Sequence, residues 1–285
     1  MAGHPLALTR LLRHRSALLG LLGTCLILFV AVLGPRMAPY SIDGAGTVER
    51  VLDRLQPPGL LHPLGSDHLG ADVLSLVLHG AGPTIQVSLG AALVGTLTGA
   101  AVGVCAGYQG GLLDLLIMRV IDVVLAFPSL ILAILVAASL GPGATSIALA
   151  LILTGWAAPA RVVRSAVLVL REEEFIVAAR AIGCSPLRVM VRHLLPNCLP
   201  LIIVLFTMRL GVMILAESSL SFLGLGSPAG APSWGVMVDT GRSYIGAAPW
   251  CSMAPATAIA LTVLAFNFLG DGLRDLLDPR LRGRL

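Results

Sequence analysis

The 285 residues are 56% hydrophobic and only 12% charged, with mean hydropathy +0.92, whereas an ordinary soluble domain carries roughly 25% charged residues. This excludes a soluble enzyme and predicts an all-α integral membrane protein of about six spans, because each crossing takes about 20 apolar residues. The net charge is +4 and all 19 basic residues are Arg, but they sit beside alternate apolar stretches, as orientation in a bilayer requires, and not in a nucleic-acid-binding patch.

In chain order, Arg10, Arg13 and Arg15 precede the apolar run Ala17–Leu33. That run is long for a signal sequence and has no small-residue cleavage site, so it is read as a retained first helix. Apolar stretches punctuated by Gly, Pro and charged residues predict spans at 17–34, 84–107, 113–139, 145–165, 198–217 and 251–270. Residues 35–82 form a polar outer loop, and 218–249 a Gly/Pro/Ser-rich outer loop or re-entrant segment. The five cysteines have no metal spacing. The loop histidines His62 and His68 lack a third ligand, so no metal site is expected.

With the N-terminus inside, the cytoplasmic side receives most of the arginines, including Arg161, Arg164, Arg171, Arg180, Arg188, Arg192 and Arg274. The outer side receives only Arg36, Arg50, Arg54 and Arg242. The positive-inside rule then predicts that both termini, and the charged insert at 172–196, are cytoplasmic.

That insert is the most informative stretch. Phe175, Ala178, Ala179 and Ile182 fall at helical spacing on one face, next to Glu174 in the first turn. Gly183 ends the helix, and Ser185 and Pro186 supply a cap and first-turn proline for a second one. There Leu187, Met190, Val191 and Leu194 repeat the spacing. Such a helix–turn–helix either lies on lipid headgroups or docks into a partner; two alanines in the stripe grip lipid weakly and favour docking.

The insert resembles the EAA loop of ABC importer permeases. Ala178, Ala179 and Gly183 match its pattern and His193-Leu-Leu-Pro196, with Leu195 and Pro196, matches its ending; Val177 stands where that pattern has Glu. The likeness extends along the chain to the C-subunit type of dipeptide/oligopeptide/nickel permease. His62–Leu74 resembles its outer-loop signature, with Ala71 where Arg is usual, and Asp114–Pro128 its third span. Ser219–Gly226 with Pro232-Ser-Trp-Gly235 is similar to its last outer segment, and Gly270–Arg280 to its tail.

The resemblance implies a type I importer permease fold with a cytoplasmic coupling helix, in a bacterial inner membrane. It implies as partners a homologous permease, two cytoplasmic ATPase subunits and an extracytoplasmic substrate-binding protein, besides membrane lipid. Peptides are the implied cargo, with nickel or another small solute as the alternative for the same machinery. This chain has no GxxxxGK[ST] loop. It is therefore expected to be no enzyme and to bind no cofactor itself, ATP and magnesium belonging to the partner ATPases.

Charges within spans are functional candidates by default. Asp122 and Arg209 are expected at similar depth, and Asp122 to pair with Arg209, with Arg119 one turn away, or with both. Such a pair either fixes helix register or touches cargo. Glu217, near the end of its span, either meets a peptide amino group or caps the next turn with Ser218 and Ser219. Two other classes find less support. An ion-coupled secondary transporter would carry an inverted repeat, and a membrane protease an HExxH pair or GxSxG elbow; neither pattern is present.

Overall fold

A computed structural model of the chain describes residues 15–41, 53–226 and 232–277. Arg10, Arg13 and the tail beyond Leu277 lie outside them. Among the described residues the chain is helical, and its sole β-pairing is an isolated bridge between Ser66 and Asp72. Helix α1 is Arg15–Met37, α2 Val73–Gln109, α3 Gly111–Ala126, α4 Ser129–Leu140, α5 Ala144–Gly155 and α6 Ala157–Leu170. The insert begins with α7, Glu174–Ala181. Helix α8, Pro186–Val189, passes through a π-turn at 190–194 into α9, Leu195–Leu220. Helices α10, Trp234–Arg242, and α11, Trp250–Leu277, complete the set.

Five of these segments are long and apolar enough to cross a membrane: Ala17–Met37, Val73–Gln109, Ala144–Leu170, Pro186–Leu225 and Trp250–Leu276. The pair α3 and α4, bent by 91° at their junction, meets the same standard when the two are taken together as one span. The stretch expected as one span over 113–139 is thus two helices meeting at a sharp bend. Pro128 disfavours helical geometry at the residue before it, and Phe127 is extended, with φ −90° and ψ 142°.

The second span begins eleven residues before the expected 84, at Val73. Asp72 caps it by accepting the Ser75 N–H at 2.8 Å and the Ser75 hydroxyl at 2.7 Å, and the helix runs through Pro83. The second helix of the insert is likewise not separate. Pro196 has no N–H to give and crowds the preceding turn; the wider π-turn, with the Leu195 N–H bonded to the Met190 carbonyl, carries the helix past it.

Small residues set the helix spacing. Gly95, Gly99, Gly103 and Gly107 recur every fourth residue along the buried face of α2. A side chain at Gly103 would lie 2.5 Å from the Ala160 carbonyl oxygen of α6, and one at Gly107 2.9 Å from Val167. Backbone-to-backbone approach of this kind is how apolar helices associate in lipid, where burial supplies no driving force. The 232–235 segment is tied in as well: the Trp234 indole N–H donates to the Val77 carbonyl at 2.9 Å, and its backbone N–H to Thr84 Oγ1 at 3.1 Å.

Candidate functional site: the 172–196 insert and the charges behind it

The turn inside the insert forms from two backbone bonds. The Gly183 N–H donates to the Arg180 carbonyl at 3.0 Å and the Cys184 N–H to the Ala179 carbonyl at 3.1 Å, the bond pair of a Schellman ending. Gly183 has φ +83°, the left-handed conformation glycine adopts without penalty. Ser185 caps α8 through the Arg188 N–H at 3.4 Å, with Pro186 in the first turn.

The stripe on α7 differs from the expected one. Ile176 is wholly buried and Ala179 nearly so, both in a cluster with Val104 of α2, Val163 and Val167 of α6, and Val189, Met190 and Leu194. Phe175, Ala178 and Ile182 face outward, Ile182 being 81% exposed. Glu174, Gly183 and Leu187 share this outer surface, as do Val177 and Val191. Ala179 therefore moves from the outer surface to the anchor, and Met190 and Leu194 with it, because a helix lying against a bundle needs an apolar underside of its own. Leu195 packs against the same cluster and Pro196 is exposed at the start of α9.

Two cations hold the insert to α2. The Arg180 guanidinium lies 4.9 Å over the Tyr108 ring, and Arg171 donates to the Gly107 carbonyl at 3.1 Å. Behind them α3 and α6 are joined by charge. Arg164 grips Asp114 with both forks, Nε and one terminal nitrogen each at 2.5 Å from a carboxylate oxygen. Arg161 bonds Asp122, which Arg119 also approaches at 3.5 Å. The Asp114–Arg164 and Asp122–Arg161 pairs escaped sequence reasoning because the two acids of α3 stand eight residues apart and the two arginines of α6 only three, so no common spacing links them.

Arg209 does not pair with Asp122, which corrects that expectation: Asp122 turns to α6, and Arg209 stands in α9 beside Gly155 and Met213. Its Nε is buried without a hydrogen-bond partner among the described residues. Glu217 is 3% exposed and accepts from the Ser221 hydroxyl at 2.9 Å and the Ser218 hydroxyl at 3.3 Å. Ser219 instead donates to the Leu215 carbonyl.

Outside the bundle, the 53–72 segment folds over the start of α2. His62 Nδ1 lies 3.1 Å from Asp72 Oδ1, Asp67 Oδ1 accepts the Leu69 and Ala71 N–H groups, and Trp250 reaches the Ser66 carbonyl at 3.1 Å. His68 stacks on Tyr244, 5.1 Å between centroids. These histidines thus serve loop packing, and no group of three metal-ligating side chains occurs among the described residues.

Residues 75–283 match the family described as binding-protein-dependent transport system inner membrane component, and residues 6–58 the N-terminal TM domain of oligopeptide transport permease C. The chain belongs to the ABC peptide permease family. Among its relatives is a protein of Brucella abortus ascribed to a peptide transport system as its permease, 43% identical over 98% of this chain and 93% of that one. The glutathione transport system permease protein GsiD of Shigella dysenteriae is 42% identical over 96% and 89%, as is GsiD of an Escherichia coli strain. This ABC permease is accordingly a multi-pass membrane component of binding-protein-dependent transport, and its relatives are permeases rather than enzymes.

Proposed function

We propose that this permease forms half of an ATP-driven importer for peptides, including small acidic ones of the glutathione type, with its insert seated in a cleft of a cytoplasmic ATPase subunit. The observation that carries the reading is the two-sided helix α7. Ile176 and Ala179 lock it to the bundle, while Phe175, Ala178 and Ile182 stand outward and exposed among the described residues. An outward apolar surface on a rigid, capped element is built to be covered by another protein. In this reading both termini are cytoplasmic, and a homologous permease completes an alternating-access pathway. A substrate-binding protein delivers the cargo from the far side, and two ATPase subunits hold ATP and magnesium. Closure of the ATPase pair moves α7, and through its anchor the helices behind it. Relatives named for peptide and glutathione transport support the cargo class.

The test is Ala178→Asp and Ile182→Asp, made in the four-subunit complex. Both variants are expected to reach the membrane at normal levels, to lose co-purifying ATPase subunits, and to stop ATP-dependent uptake in vesicles. Uptake that continues undiminished with either variant, or in vesicles stripped of ATPase subunits, refutes the reading.

A further inference from the structure

The broken third span opens a cavity of about 210 Å³ in the bundle, lined by Ser129 and Leu130 of α4, Thr154 and Gly155 of α5, and Arg209 and Met213 of α9. Arg209 lies about midway along α9 and shares the cavity with Ser129 and Leu130, which follow the bend. It is the only charged one of the described residues lining the cavity, and a guanidinium stays protonated in any protein setting. Among the described residues it has neither an ion pair nor a hydrogen bond, and its Nε is fully enclosed. Neither Asp122 nor Glu217 neutralises it: Asp122 is engaged with Arg161 and Arg119, and Glu217 with two serine hydroxyls.

Other donors point the same way. Helix α4 starts at Ser129 after Pro128, and its first intrahelical bond is that of the Leu132 N–H to the Pro128 carbonyl. The N–H groups of Ser129, Leu130 and Ile131 are left over, as at any helix start, with no side-chain cap to take them. Thr154 adds no donor, since its hydroxyl hydrogen goes to the Ala150 carbonyl at 2.9 Å. The described lining thus offers an unneutralised cation together with the uncapped Ser129 and Leu130, and no acid, an arrangement complementary to a carboxylate.

We propose that this cavity is a way-station for a carboxylate of the cargo, which the Arg209 guanidinium and the first turn of α4 hold during translocation. The inference rests on the importer reading and adds to it a residue that touches cargo. Every peptide has a C-terminal carboxylate, so one cation on the path serves many sequences; a side-chain carboxylate fits equally.

The experiment uses the complete importer in vesicles with saturating binding protein, comparing trialanine with trialanine amide in the wild type, Arg209→Gln and Arg209→Lys. Loss of a charged hydrogen-bonding partner predicts that Arg209→Gln slows the acid about tenfold, leaves the amide within about twofold, and so erases the preference between them. Arg209→Lys is expected to fall between, because it keeps the charge and loses the planar fork. In wild-type complex, trialanine but not its amide should also protect Arg209 from butanedione, read by mass spectrometry, a measurement that needs no variant. Equal slowing of acid and amide, or protection by neither, overturns the proposal and leaves Arg209 as a partner for an acidic residue of the sister permease or a lipid phosphate. Wild-type vesicles that take up neither peptide with ATP defeat the importer reading, and this inference falls with it.

Discussion

The glycine stripe of α2 yields a sharp stability test. At Gly103 an added Cβ would lie 2.5 Å from the Ala160 carbonyl oxygen and 3.0 Å from the Arg164 nitrogen. The first of these falls about 0.9 Å short of the 3.4 Å at which ordinary contact begins, and both neighbours are backbone, so the helices must part. Overpacking of this kind costs about 1–3 kcal/mol. Gly90 lies in the same helix, but an added Cβ there meets nothing within 4 Å. Both Gly→Ala changes gain the same helix propensity, about 1 kcal/mol, so their difference isolates the clash. Thermal unfolding of the detergent-solubilised complex is expected to place Gly103→Ala below Gly90→Ala by about 2–4 °C for each kcal/mol. Equal midpoints would refute the claim that α2 and α6 are held at backbone contact.

Two further outcomes follow from the insert and the charges behind it. Asp114→Asn and Arg164→Gln each break the two-pronged bond between α3 and α6, so their effects on complex stability should fail to add by about 0.5–3 kcal/mol in a double-mutant cycle. Simple additivity would mean the pair contributes nothing. Ile176→Ala empties a fully buried site and should destabilise by about 2–5 kcal/mol, whereas Val177→Glu, at a half-exposed position, should stay within about 0.5 kcal/mol. Chemical unfolding of the two variants checks this, and the reverse order would invert the assignment of the anchoring and docking sides of α7.

What could be read from the sequence followed one-dimensional signals. Apolar length pointed to the stretches that, among the described residues, form helices long and apolar enough to cross a membrane, and Gly183, Ser185 and Pro186 gave the turn of the insert because capping is set by residues adjacent in sequence. The signals that failed needed a direction as well as a position. Hydropathy runs unbroken through Phe127-Pro128, so it hides a 91° bend that only the proline betrays. On α7 the stripe Phe175, Ala178, Ala179, Ile182 and the underside Ile176, Ala179 share a residue, and spacing alone does not decide which side meets the bundle. Asp122 and Arg209 were matched by depth, but depth says nothing of the angle about a helix axis, and the angle gives Asp122 to Arg161.

Helix α6 connects these features. Its first residues adjoin Gly155 and the Arg209 cavity, its middle presses on the glycine stripe of α2, and Arg161 and Arg164 clasp both acids of α3. Its far end meets the anchor of α7 through Val163 and Val167. A close-packed body of this kind transmits displacement instead of absorbing it. If an ATPase moves α7, then α2, α3 and α6 should travel together, and the strain should fall where packing is interrupted, at Phe127-Pro128. Ser129 and Leu130, the first residues after that break, line the cavity together with Arg209, so movement at the insert would alter the distance between the first turn of α4 and the guanidinium. Docking at one end and grip on a carboxylate at the other would then be two readouts of a single rigid-body motion.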